Sequence, residues 1–314
     1  MPRKITEHHL WFLGLSILSF ALFRLPLATL LSVSFLDDRY THVLVIPLIS
    51  ACLVYFGRKS IFVEPRYCLS WGVPLLLLGV VFFWMIQRSV SFSDQNDYLF
   101  CAVFSLVCVW VAGFVVSYGT KALRAARFPL SFLILMVPMP TFLLDWTAGA
   151  LQIGSAETTH ALFRLVRVPV DWAGLGFSLA GWHFEIAKEC SGIHSTLILF
   201  VTGILAGHLF LRSIWGKLCF SAITVLVAIF KNAVRIVTIA CLTVYVDESF
   251  HNSWLHRKGG VVFAAFALAI LVPSLLALQK AESYWLWKQS IPGSNKDATT
   301  EERPDCVSRQ NDVG

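Results

Sequence analysis

What most constrains this chain is a succession of apolar runs separated by short polar segments, because a bilayer's hydrocarbon core demands about 20 apolar residues per helix. The runs fall at about Leu10 to Phe35, Val43 to Phe56, Leu69 to Ile86, Tyr98 to Tyr118, Phe128 to Leu144, Ser191 to Leu211, Leu218 to Val246 and Gly260 to Leu278. With 57% hydrophobic residues, 14% charged and a mean hydropathy of +0.70, the 314 residues lie far from the composition of soluble domains. The expected fold is an all-α integral membrane protein, a polytopic bundle of about eight transmembrane helices. The opening MPRK resembles the start of a signal peptide, but no small-residue cleavage pattern follows, so the first run reads as a retained helix.

Two runs are interrupted. The first carries Arg24 and Pro26 and is expected to kink or divide there; the fifth carries Pro138 and Pro140. Between the fifth and sixth runs the chain changes character. From Leu151 to Val166 apolar residues recur at helical spacing among Gln152, Glu157, His160 and Arg164, the pattern of an amphipathic helix lying at the membrane interface. From Phe177 the period becomes two, with Phe177 and Leu179, a turn at Ala180-Gly181, then Trp182, Phe184 and Ile186, which predicts a small hairpin. Irregular backbone at membrane depth needs protein or water to cover it, so this piece is expected to cap an aqueous site on the extracytoplasmic side. Residues 1–279 form the membrane-embedded domain, and 280–314, rich in Lys, Glu, Asp, Ser and Pro, read as a disordered cytoplasmic tail.

The net charge of +6 does not point to nucleic acid, because the basic residues sit in short connections and form no stripe. They set topology instead. Placing both termini in the cytoplasm gathers Arg3 and Lys4, then Arg58, Lys59 and Arg66, then Lys121, Arg124 and Arg127, then Arg212 and Lys217 on that side, as the positive-inside rule requires. The opposite loops hold basic residues more thinly, mixed with acids.

Polar residues converge on the outer side under this topology. Cys190, in ECSGIHSTLILF, opens the sixth run. Structural cysteines are usually inert, whereas a helix N-terminus favours the thiolate, which makes Cys190 a candidate nucleophile. The seventh run carries Lys231, Asn232 and Arg235; Arg235 lies roughly 16 Å below its outer end at the helical rise. A charge within a span costs about 2.5–3.5 kcal/mol on insertion scales and usually faces a functional cavity. Asn232 and Arg235 share a helix face. His256, His251 and His194 are all candidate bases, and spacing does not choose among them. The eight cysteines lack C-x-x-C spacing, and no metal or cofactor is expected because the histidines and carboxylates lack a ligand spacing.

These residues resemble the signature regions of the exosortase and archaeosortase family: ECSGIHS, the KNAVR of the seventh run, and His256 followed by Gly260 and Phe263. The resemblance extends to DRYTHVLVIPLI, to RFPLSFLILMVPMP and through ALQIGSAETTHALFRLVRVPVDWAGLGFSLAGWHFEIAKECSG, and so covers most of residues 38 to 270. It implies a membrane-embedded cysteine protease or transpeptidase of a bacterial inner membrane. Its substrates would be exported proteins bearing C-terminal sorting signals of the PEP-CTERM type: a short motif, a hydrophobic helix and a basic tail. The resemblance assigns catalysis to Cys190, Arg235 and His256, supported by Asn232, Glu189, Ser191, Gly192 and His194, with the site facing the periplasm and an acceptor of unspecified chemistry. Many members carry arginine after the CSG motif where this chain has His194. The competing classes are a transporter, for which Arg235 and Lys231 would line an anion path, and a membrane assembly or polysaccharide-biosynthesis subunit with a structural intramembrane arginine.

Overall fold

A computed structural model describes residues 2–37, 40–89, 94–186, 192–247 and 260–290. The apolar runs are helices, as the absence of water for backbone groups in lipid requires. Helix α1 (Pro2–Leu22) is followed by α2 (Arg24–Leu36), α3 (Thr41–Ile61), α4 (Leu69–Ser89) and α5 (Gln95–Ala125). Then come α6 (Arg127–Phe132) with a 3₁₀ turn (Leu133–Met136), α7 (Thr141–Leu165), strands β1 (Asp171–Ala173), β2 (Gly176–Leu179) and β3 (Trp182–Glu185), and helices α8 (Ile193–Phe210), α9 (Ile214–Tyr245) and α10 (Gly260–Ser290). Among the described residues six helices are long and apolar enough to span, or eight spans if each bent helix pair counts as one. The protein is therefore a polytopic all-α membrane protein. Its surface carries exposed Trp11, Leu18, Leu48, Trp71, Leu78 and Val261, an apolar exterior that water would not tolerate on this scale.

The first run divides where Arg24 and Pro26 predicted, α1 and α2 meeting at 74°. Phe23 at the joint is completely buried and packs on Phe83, with ring centroids 4.1 Å apart. The second run is longer than its apolar stretch: α3 continues through Gly57, Arg58 and Lys59 to Ile61, because polar residues outside the hydrocarbon remain good helix formers. Likewise α10 runs through Glu282 to Ser290, so position 279 falls inside a helix.

The fifth run is not one continuous helix. The chain leaves the 3₁₀ turn at Met136, stays non-helical through Val137–Pro140 and restarts as α7 at 88° to the preceding segment. Pro138 and Pro140 cannot donate to a helical ladder, and the opened backbone is satisfied by the start of α5. Asn96 Nδ2 donates to the Met139 carbonyl (2.6 Å), the Thr141 amide donates to Asp97 Oδ1 (2.7 Å), and Thr141 Oγ1 donates to Asp94 Oδ2 (2.7 Å). Tyr40 completes this network by donating to Asn96 Oδ1 at 2.5 Å. The break is thus covered by protein, as membrane depth demands.

Helix α7 also begins earlier than the periodicity from Leu151 implied. Its buried stripe, Ala148, Leu151, Gln152, Ser155, Ala156, Thr159 and Phe163, has helical spacing and packs along the distal half of α9 and the strands. Gln152, assigned by the sequence to a polar face, is on that buried stripe.

The hairpin forms with the expected register: Leu179 pairs with Trp182, and both turn residues have positive φ, Ala180 at 48° and Gly181 at 88°. A third strand precedes it, β1 pairing antiparallel with β2. Trp172, Phe177 and Phe184 are register partners across the three strands and stack as a ladder, with His160 of α7 stacked on the Trp172 end. Such cross-strand aromatic pairs contribute about 0.2–1 kcal/mol each. They let a sheet of only 11 residues dock on α7 and α9.

Candidate active site

Two anchor points bracket the segment that carries Cys190. Upstream, Gln152 Nε2 of α7 donates a short hydrogen bond to the Ile186 carbonyl, where the hairpin ends. Downstream, Gly192 caps α8 in the left-handed region at φ 72°, a conformation L residues enter only at a cost of about 1–2 kcal/mol. A Cβ at Gly192 would lie 2.8 Å from Asn232 Oδ1 and 2.9 Å from its Cγ, so the glycine also allows α9 to approach the loop. Gly192, which ends the ECSG motif, and Asn232, which opens the N-x-x-R motif 40 residues later, are packed on each other there.

Asn232 is 2% exposed, and its Nδ2 donates to Ser155 Oγ of α7 at 3.0 Å. One residue earlier Lys231, 5% exposed, donates from Nζ to Ser195 Oγ at 2.6 Å, and Ser195 Oγ donates in turn to the Gly192 carbonyl at 3.0 Å. A buried ammonium is tolerated only with partners, and this one secures the first turn of α8. Arg235 is half-buried one turn further out, about 15 Å before the end of α9 at the helical rise. Three helices and the sheet therefore converge on one polar cluster at the end of the bundle where α8 begins.

Two polar atoms of this region are buried and find no hydrogen-bond partner among the described residues: Thr159 Oγ1 and His194 Nδ1. Thr159 continues the α7 stripe one turn beyond Ser155. His194 does not stand one helical turn after Cys190 in the sense the sequence suggested. Helix α8 starts at Ile193 and Gly192 is left-handed, so the helical spacing that would place positions 190 and 194 on one face does not apply. Glu189, Cys190, Ser191, His251 and His256 lie outside the described residues.

The sequence had singled out Asn232, Arg235, Gly192 and His194; it missed Gln152, Ser155 and the Lys231–Ser195 bond. The signal for the first two was present as polar residues recurring at helical spacing among small ones, Gln152, Ser155 and Thr159. Nothing local distinguishes such a buried polar stripe from a wet one. Among the described residues no three histidine, cysteine or acidic side chains are grouped to hold a metal.

A bundle of apolar helices with a buried polar cluster where Gly192 meets Asn232 defines the protein as a polytopic membrane protein. The sequence profile of the transmembrane exosortases matches residues 32–273, and the chain belongs to that family. Membership makes it a multi-pass membrane protein of the protein-sorting protease or transpeptidase class, with exported proteins as the class of substrate. No curated protein and no solved structure matches the chain.

Proposed function

We propose that the protein is a cysteine transpeptidase or protease that cleaves C-terminal sorting signals of the PEP-CTERM type from exported proteins at the outer face of a bacterial inner membrane. The observation that carries this reading is the contact of Gly192 with Asn232. Two residues of extended chain span at most about 7 Å, so covalent connectivity alone keeps the Cys190 Cα within that distance of the Gly192 Cα. The thiol is thereby tethered to the helix face that holds Asn232 and Arg235.

In the proposed reaction the Cys190 thiolate attacks the scissile carbonyl, forming a C–S bond. The carbonyl electron pair moves to oxygen, where the Arg235 guanidinium offsets the developing charge; in a water-poor site such a fixed cation is worth far more than in bulk. His256, which took the proton of the Cys190 thiol as general base, gives it to the leaving amine as the oxyanion collapses and the C–N bond breaks, leaving a thioester. An acceptor amine or hydroxyl, or water, then attacks the thioester, gives its proton to His256 and releases the thiolate. The signal's apolar helix would pack laterally against the spans. Its basic tail would stay in the cytoplasm with both termini of the enzyme, by the charge rule that orients both.

The test is processing of a reporter ending in such a signal. Cys190→Ala, Arg235→Ala and His256→Ala should each leave full-length reporter in the membrane at normal enzyme levels. Normal processing by Cys190→Ala would exclude the nucleophile, and with it the transfer mechanism.

A further inference from the structure

A cleft unrelated to the polar cluster opens on the other half of the bundle. Helices α1 and α3 both pack on α5 but have little contact with each other, and the wedge between them is a cavity of about 570 Å³. Phe12 and Phe20 of α1, Ala51 and Val54 of α3, and Trp110 and Phe114 of α5 form its apolar walls. The polar atoms along its length are already used: Ser50 Oγ donates to the Pro129 carbonyl (2.7 Å) and Trp110 Nε1 to Ser16 Oγ (3.1 Å). Charge is confined to one end, where exposed Arg58 lies over the Tyr55 ring at 4.0 Å and His9 bonds Tyr118 Oη at 2.8 Å.

We propose that this cleft binds one acyl chain of an anionic phospholipid, whose phosphate sits against Arg58. Length supports this occupant: Pro47 and Arg58 lie eleven positions apart on α3, roughly 16 Å at the helical rise and so about one leaflet of a 30 Å hydrocarbon core. Length disfavours a transmembrane helix, which needs a groove of about 30 Å, roughly twice this one. Charge also disfavours a sorting-signal helix, because the charged end of the cleft is cationic and would repel a basic tail. Arg58 is followed by Lys59 at the end of α3, and the connection beyond it carries Arg66, which shares Glu64 with Lys121, so cations outnumber acids where the phosphate would sit. A guanidinium on a stem fits a phosphate through paired N–H donors.

The full-length protein is to be reconstituted in nanodiscs with equimolar phosphatidylglycerol and phosphatidylcholine, extracted gently, and its retained lipid measured by native mass spectrometry. Wild type should retain one lipid, enriched about fivefold in phosphatidylglycerol, as one cation at the membrane surface gives. Ala51→Trp fills the cleft from an exposed position and should abolish retention, while Arg58→Gln should retain lipid without the preference. A thermal melt of each variant identifies any that has failed to fold. Equal retention by a folded Ala51→Trp, an unchanged preference in Arg58→Gln, or no lipid on the wild type would each overturn the proposal. Reporter processing is not part of the readout, so the outcome is separate from that of the sorting reaction.

Discussion

Gly192 carries two requirements at once, positive φ and no side chain, and they can be separated. Gly192→Ala should lower reporter processing by about a hundredfold through misplacement of the preceding loop, while leaving the protein in the membrane. In an Asn232→Ala background the space for a Cβ returns but the left-handed strain does not. The second substitution should therefore recover part of the loss if the 2.8 Å approach to Asn232 matters, and none if φ alone does. Lys231 gives a test of a different kind. Lys231→Met removes a buried charge whose partner, Ser195, keeps its own bond to the Gly192 carbonyl, so no orphaned ion remains. Thermal unfolding should shift by less than about 1 kcal/mol, or toward greater stability, while processing falls because the first turn of α8 loses its tether. A large loss of stability would show the ammonium to be a structural necessity instead. At this scale the sequence was informative about which residues matter and silent on how they meet. Asn232 and Arg235 were legible because polarity inside a span is costly. Ser155, the partner of Asn232, was legible only as one member of a polar stripe, because serine on a helix is cheap to bury and to expose alike.

Elements, more than residues, depart from their sequence outlines. The helices of α3 and α10 outlast their apolar runs, since hydropathy reports the thickness of the lipid and not the length of the helix. At the far end of α10, Glu282 accepts hydrogen bonds from the Arg212 amide (2.9 Å), the Ser213 amide (3.0 Å) and Ser213 Oγ (2.5 Å), closing the α8–α9 turn onto the last helix. Hydrogen bonds to a charged group are worth about 1.5–3 kcal/mol. Glu282→Gln keeps the shape but not the charge, and should lower the thermal midpoint by several degrees, about 2–4 °C per kcal/mol for a protein of this size. An unchanged melt would mean the turn is held by packing alone. The Pro138–Pro140 break was visible as a pair of prolines, but its 88° angle was not. That angle depends on Asp94, Asn96, Asp97 and Tyr40, which come from separate parts of the chain to receive the freed backbone groups.

For the whole molecule the strongest consequence concerns sides. His8 and His9 meet Ser117 and Tyr118, Lys121 meets Glu64, and Phe128 stacks on His208, so the basic connections gather at one end of the bundle. The Tyr40–Asn96–Thr141 network and the start of α8 lie toward the other. In inside-intact cells a membrane-impermeant thiol reagent should label Cys190, and a cysteine placed at position 256, without permeabilisation. Arg58→Cys should label only after permeabilisation. Labelling of positions 190 and 256 from opposite sides would remove any common reaction centre and with it the proposed chemistry.

The linear order of residues was enough to determine that this chain is a polytopic all-α membrane protein and which connections carry positive charge. Those properties follow from the transfer of local stretches out of water, and each stretch states its own preference. The convergence of Gly192, Asn232, Ser155 and Lys231, the inward turn of Gln152, and the wedge between α1 and α3 were decided by the tertiary structure. In lipid, helix association depends on shape and on satisfying polar groups between partners, and neither is a property of any one helix.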